Sequence, residues 1–275
     1  MTTLSNHYSN ERDANIQFFE EGHKYTILSD PESAYTSVTT WNHQHFPKFD
    51  ADAIIQTMMK GKNWNSSNKY WNMTPEQIKA QWNANSGEVA QAGTDMHYQI
   101  ECFMNNNELS PGYTHQDLLE ANYFNNNNTL EWSYFLEFVK NNPELKPYRT
   151  EWLVYDEEIK IAGSIDMVYE NPDGTLLIYD WKRSREITKS NNWNKSAITE
   201  CIQHLPDTNY WHYTLQLNTY KTILEKKYGK KVTGMFLVKL HPLNTNKSYQ
   251  ILKVPALEED MENLYEYRKS IVNNK

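Results

Sequence analysis

Between residues 148 and 181 the chain passes through three consecutive segments rich in β-branched and aromatic residues, Tyr148 to Tyr155, Ile159 to Tyr169 and Thr175 to Trp181. Asp156-Glu157-Glu158 and Asn171-Pro172-Asp173-Gly174 stand between them as turns. Three strands in succession make an antiparallel meander, and whatever else the chain folds into must cover it. Upstream, Ile16 to Phe19 and His23 to Leu28 read as a β-hairpin turning at Gly22, followed by the Ser/Thr-rich run Thr36 to Thr40. Asp50 to Lys62 is weakly helical. Thr74-Pro75-Glu76-Gln77 is a helix start, with Thr as cap and Pro at the first position, and the helix is expected to reach Met104 with a break near Ser86-Gly87. Asp117 to Lys140 is a second helical stretch, interrupted by a loop at Asn125 to Asn128. Downstream, Asn209 to Tyr228 is helical and stops at Gly229; Val232 to Leu240 and Tyr249 to Val254 read as strands, and Leu257 to Val272 as a terminal helix. The class is mixed α/β (α+β).

No linker separates domains, and 275 residues at ~150 per domain allow one elaborated domain over 1–275. It divides into an N-terminal hairpin and helical elaboration over 1–90 and a core over 91–275. The net charge is −8, which argues against coating nucleic acid or an acidic membrane by bulk charge. Mean hydropathy is −0.83 and no apolar run approaches the ~20 residues of a bilayer span, so no membrane association is expected. The N-terminus lacks the pattern of a signal or transit peptide. Cys102 and Cys201 are too few for a four-thiolate zinc or iron–sulfur site, and the expected setting is an intracellular, reducing compartment.

The chemistry is concentrated on the meander. Gly163-Ser164-Ile165-Asp166 lies on one strand and Asp180-Trp181-Lys182 on the next. Strand side chains alternate, so Asp180 and Lys182 share a face while Trp181 enters the opposite layer. A hairpin can bring Asp166 beside Asp180. Two adjacent carboxylates repel unless a cation sits between them, and hard oxygen ligands suit Mg²⁺ or Mn²⁺, one ion or two. A lysine beside them can position water for attack on phosphorus. Leu176 to Tyr179 reads as a buried strand, and ionised groups emerging from its end are costly unless paired or metal-bound. Upstream, Gly93-Thr94-Asp95-Met96-His97 precedes Glu101, and His97 and Glu101, four apart on a helix, share a face; the imidazole suits the same cation, with Glu101 in support. Gln216 and Tyr220 repeat that spacing on another helix and could hold a phosphate or a base.

In order and spacing these blocks resemble the RecB-like branch of the PD-(D/E)XK nuclease superfamily, marked by Gly-x-x-x-His with a following Glu, Gly-x-x-Asp, Asp-x-Lys and Gln-x-x-x-Tyr. More narrowly, His23-Lys24-Tyr25, Ser37-Val38-Thr39 and Gly93-Thr94 with His97 look like the mitochondrial genome maintenance exonuclease and its viral relatives, which leaves a viral or phage origin open. The resemblance covers most of residues 20 to 240. It implies a restriction-endonuclease-like core, a central mixed sheet flanked by helices. It further implies that Asp166, Asp180 and the Trp181 backbone carbonyl hold the metal with His97, and that Lys182 is the catalytic lysine beside Asp166 and Asp180. Gln216 and Tyr220 would bind nucleic acid or brace the site, Ser37 and Thr39 would contact phosphate, and Glu151 would face the site in support. The cysteines that hold an iron–sulfur cluster in some relatives are absent, as is a Gly-Lys-Ser/Thr phosphate loop, so neither a cluster nor a nucleotide cofactor is expected.

The segment from Asp180 to Lys231 carries ten basic against five acidic residues, the local excess a phosphate backbone requires. Trp41, Trp64, Trp71, Trp82 and Trp193 are candidates for stacking on unpaired bases, with core packing the competing reading. The expected activity is a metal-dependent DNA exonuclease preferring single strands, acting in repair, recombination or replication-end processing. A cap-snatching-like RNA endonuclease and a non-catalytic nucleic-acid-binding scaffold are the alternatives.

Overall fold

Turn chemistry and capping set the first elements of the computed structural model, which describes residues 3–110, 112–121, 128–191 and 194–274. After a short helix α1 (Thr3–His7), β1 (Ile16–Phe19) and β2 (Lys24–Ile27) form the expected hairpin, in register from Ile16↔Ile27 to Phe19↔Lys24. Gly22 closes it at φ 77°, in the left-handed region that favours glycine. The two-residue β3 (Thr36–Ser37) runs into α2 (Val38–His43), where the Ser37 hydroxyl caps the helix by accepting the Thr40 N–H. α3 (Ala51–Lys60) starts at the Asp50 cap. α4 (Pro75–Met104) opens on a reciprocal box: Thr74 N–H donates to Gln77 Oε1 at 2.8 Å and Gln77 N–H to Thr74 Oγ1 at 3.3 Å. The break expected near Ser86-Gly87 does not occur; α4 runs for 30 residues, since one helical glycine costs only ~1 kcal/mol relative to alanine. α5 (His115–Glu120) and α6 (Leu130–Asn141) follow, and Asn125 to Asn127 of the tract between them lie outside the described residues.

The meander then forms as β4 (Lys146–Asp156), β5 (Ile161–Glu170) and β6 (Leu176–Lys182). α7 (Asn209–Lys227) carries the chain to β7 (Val232–Lys239), and β8 (Gln250–Lys253) and α8 (Glu258–Asn273) complete it. In the sheet, β4 and β5, β5 and β6, and β7 and β8 pair antiparallel. β6 and β7 pair parallel, which requires the crossover that α7 supplies. This is a mixed α/β fold, a central mixed sheet flanked by helices.

Two compact units make up the chain. The first, Met1–Pro47 with His97–Lys275, holds the sheet. On one side Trp152, Ile165, Ile178 and Leu237 pack with Ile223 and Leu224 of α7 and Leu264 of α8. Elsewhere in this unit Phe135 and Phe138 of α6 meet the Trp181 ring edge-on, with centroids 5.7 and 5.4 Å away. Fully burying such side chains contributes ~1.5–3 kcal/mol each, and this clamps the end of β6. The second unit, Lys48–Met96, has a core of its own in Ile55, Tyr70 and Ile78, with Trp64 and Trp82 packed against it.

β5 is the strand on which the architecture turns. β4 pairs with it from Ile161 to Glu170 along one edge. On the other edge β3 takes Ile161 and Ala162, and β6 takes Met167 to Glu170. Gly163 to Asp166, the Gly-x-x-Asp block, therefore faces a gap in the sheet on that side.

Candidate active site

The register joining Met167 to Tyr179 would next set Asp166 opposite Asp180. The ladder ends there instead, and Asp166 Oδ2 accepts the Trp181 N–H at 2.9 Å, so a side chain satisfies the backbone donor that the ladder releases. On the β4 edge, the pairs Thr150↔Met167 and Trp152↔Ile165 bracket Glu151 and Asp166. Glu151 holds φ 41°, a left-handed backbone that costs a non-glycine residue ~1–3 kcal/mol. Its Oε2 accepts the Ser164 hydroxyl at 2.8 Å.

His97, on α4, closes the group. Its Nε2 lies 2.9 Å from the Trp181 carbonyl, and its Nδ1 lies 3.5 Å from Asp166 Oδ2 and 3.8 Å from Glu151 Oε1. Burial alone would keep the imidazole neutral, but the Asp166 charge, with Glu151, pushes it up to about 9. Burial raises the Asp166 carboxyl, against the pull of His97. One ligand atom from each of His97, Glu151 and Asp166 can be chosen so that all lie within 4.8 Å of one another. With the Trp181 carbonyl this is one imidazole nitrogen and three oxygens from four chain segments, a donor set of the hard kind that fits Mg²⁺ or Mn²⁺.

Asp180 and Lys182 form the adjoining half. Asp180 is 2% exposed, and its Oδ2 lies 2.6 Å from Lys182 Nζ as an ion pair while receiving no well-directed hydrogen bond. Burial pushes its carboxyl up to about 6, Lys182 opposing and Asp166 adding to the shift. Burial works against the Lys182 charge too, but Asp180 and Asp166 outweigh it, so the group stays an ammonium. The ammonium sits 4.5 Å from the centre of the Tyr213 ring of α7.

A family model described as the PD-(D/E)XK nuclease superfamily matches residues 86–274. The chain belongs to this superfamily. No curated protein matches it. PD-(D/E)XK nucleases use divalent metals, in keeping with the donors gathered around His97. The motif glycine of this PD-(D/E)XK core has a steric reason: a Cβ on Gly163 would lie 2.9 Å from Tyr220 Cε1, Tyr220 Oη and Val38 Cγ2.

The remaining candidates divide by exposure. Tyr220 is 3% exposed, so its ring is packed beneath Gly163 and the position is one that braces, with burial driving its hydroxyl well above the usual tyrosine range. Gln216 Nε2 reaches Thr39 Oγ1 at 3.4 Å, so two of the expected nucleic-acid contacts from α7 and α2 meet. Ser37 spends its hydroxyl on the α2 cap and on Thr40 Oγ1. Glu101 does not enter the metal group; burial, with Glu151, raises its carboxyl. Ser164 and Tyr213 escape the sequence reading, although Ser164 is one strand repeat from Asp166 and Tyr213 about one helical turn from Gln216. Alternation and helical spacing could have found both.

The basic excess is partly spent elsewhere. Lys221 pairs with Glu225 and Glu258, Lys226 with Glu262, Lys227 with Glu158, and Arg183 with Glu131. Of the tryptophans, Trp41 is 2% exposed and belongs to the core, Trp71 is 38% exposed, and Trp193 lies outside the described residues.

Proposed function

We propose that the protein is a metal-dependent DNA exonuclease of the RecB-like branch, preferring single strands and acting at DNA ends in repair, recombination or replication. The observation that carries the reading is the gap in β5, where Asp166 shares His97 and Glu151 as neighbours and the buried Asp180–Lys182 pair stands alongside. His97, Asp166 and the Trp181 carbonyl, with Asp180 beside them and Glu151 in support, would hold Mg²⁺ or Mn²⁺. The bound cation supplies Lewis acidity toward water and phosphate.

The protein's own groups do the rest. Lys182, held as an ammonium by Asp180 and Asp166, orients the attacking water and offsets charge that builds on the phosphorus oxygens. Asp180 fixes Lys182 and, being buried, keeps bulk water from competing for that ammonium. Gln216 and Thr39 contact the strand at the mouth of the site, and Ser37 holds Thr39 in place through the α2 cap. Tyr220 sets the height of Gly163 and hence of Asp166, three residues on. Glu101 supports His97 from the next turn of α4.

The test is release of mononucleotides from end-labelled single-stranded DNA with Mg²⁺ or Mn²⁺, with RNA, duplex and circular DNA alongside. Asp180→Ala and Lys182→Ala are expected to reduce release at least a hundredfold, the scale at which loss of a single charge-stabilising group is felt. Undiminished activity in either variant overturns the site; cleavage of RNA in preference to DNA, or of circles as readily as linear strands, overturns the substrate assignment.

A further inference from the structure

The second unit carries a surface that the catalytic group does not use. From Ala53 to Pro75, 23 residues, there is no Asp or Glu, although 35 acidic residues in 275 would place about three in a stretch of that length. Lys60, Lys62 and Lys69 fall within it, all three exposed, and none joins an ion pair among the described residues. The same segment holds Trp64, Tyr70 and Trp71. The Trp64 and Trp71 rings lie 5.7 Å apart at 59°, and Trp71 leaves 38% of its surface open in the full chain.

The pair is mounted rigidly. Trp64 is anchored on the core of Ile55, Tyr70 and Ile78, and the Tyr70 hydroxyl accepts the Trp82 indole N–H at 2.7 Å. Asn68 Oδ1 accepts the Tyr70 N–H at 2.9 Å, and Asn65 Oδ1 accepts the Ser67 N–H at 3.0 Å, so the loop between the lysines is tied by its own side chains. Little ordering remains to be done when a ligand stacks on it.

We infer that Lys60 to Trp71 forms a stacking platform for an unpaired polynucleotide strand. An exposed indole beside a second aromatic ring offers a π-face to a base, and the exposed lysines of the same segment, Lys69 among them at 4.5 Å from the Tyr70 ring centre, offer counter-charge to phosphates. Duplex is disfavoured because its bases are already stacked on each other. A second copy of the chain is disfavoured because it would bring six unpaired lysines together. The inference rests on the nuclease reading only for the biological identity of the polymer.

The experiment uses the full chain in EDTA, so that nothing is cut, and measures fluorescence anisotropy of labelled oligothymidylate, oligouridylate and duplex DNA, each about 20 nucleotides long. Trp71→Ala is expected to weaken oligothymidylate binding about 5-fold to 160-fold, with Trp71→Phe recovering much of it. Replacing Lys60, Lys62 and Lys69 by Gln should reduce the slope of log affinity on log salt by about 2. Equal binding by oligouridylate assigns the platform to single strands of either sugar; tighter binding of duplex overturns it. So does wild-type affinity in Trp71→Ala, whatever the triple-lysine variant does, or a dimer in sedimentation that Trp71→Ala dissociates without altering strand affinity. Binding that depends on Trp71 in a protein that never cleaves would leave the platform standing and remove the nuclease reading, whereas cleavage lost in Asp180→Ala with no effect of Trp71→Ala on binding would do the reverse.

Discussion

Glu151 shows how a single residue can be both costly and useful. Its φ of 41° places a side-chain-bearing residue where glycine would rest without strain, beside a second carboxylate, and what it gains in the chain alone is the Ser164 hydrogen bond and the 3.8 Å approach to His97 Nδ1. Strain of this kind persists where function holds it. Glu151→Gly is therefore expected to raise the free energy of unfolding by about 1 kcal/mol in metal-free buffer while lowering cleavage, measured by urea titration and nucleotide release. A loss of stability would mean that the Ser164 and His97 contacts together outweigh the strain. Gly163 is the converse case. Gly163→Ala pushes a methyl into Tyr220 and Val38, and overpacking of this kind costs ~1–3 kcal/mol; adding Tyr220→Phe removes one clashing atom and leaves Cε1, so partial recovery is expected in a double-mutant comparison. At this scale Asp180 and Lys182 stand out in the sequence because charges that follow the apolar run Leu176 to Tyr179 have no inexpensive explanation, and Asp166 because it closes the Gly-x-x-Asp block of the strand before. Glu151 is reached only through the family resemblance, because a left-handed backbone under a glutamate leaves no mark in residue type, as Gly or Asn would.

Among elements, strands and caps read well and their pairings less so. β4, β5, β6 and α7 fall within a few residues of their expected bounds because β-branched runs, Asn-Pro-Asp-Gly and Gly229 are local signals. The pairing of β3 with β5 involves only Thr36↔Ile161 and Ser37↔Ala162, too short to leave a pattern, yet it is what opens the gap at Gly163 to Asp166. The seating of α5 is equally hidden. His115, its first residue, is fully buried, with Nε2 2.9 Å from the Tyr169 hydroxyl and its ring edge-on to Phe138. Burial pulls its pKa down to about 3, while in the unfolded chain it titrates near 6.5. The unfolded state thus binds the proton first as pH falls, so stability is fully present above about 6.5 and is lost progressively toward 3. At pH 4 the loss from this one group is about 3 kcal/mol. Thermal melts of the wild type and His115→Gln at pH 7 and pH 4 check it: the variant should lose less between the two, and a parallel loss would place the acid sensitivity elsewhere, His45 being the next candidate because burial lowers it to about 4.

For the molecule as a whole, net charge is a weaker guide than the placing of partners. The excess of positive charge between Asp180 and Lys231 suggests a free basic face, but Lys221, Lys226 and Lys227 are engaged by carboxylates of α7, α8 and the β4–β5 turn, and such pairs contribute little beyond local order. Lys60, Lys62 and Lys69, by contrast, join no ion pair among the described residues and have no acidic residue between Ala53 and Pro75 to oppose them. Metal-type donors converge from segments far apart in the chain, with Glu151, Asp166 and the Trp181 carbonyl meeting His97, which lies 84 residues from Trp181. A cation bound there ties α4, β4, β5 and β6 together, and because the unfolded chain cannot assemble those donors, binding adds to folding stability. At a free Mn²⁺ concentration a hundredfold above its Kd the gain is about 2.7 kcal/mol, a rise of roughly 5–11 °C in Tm by the size scaling for larger domains. Differential scanning calorimetry with Mn²⁺ and then excess EDTA should show the rise and its reversal, and Asp166→Ala should abolish both. A Tm that ignores Mn²⁺ in the wild type, or that still rises in Asp166→Ala, would place the cation away from the gap in β5.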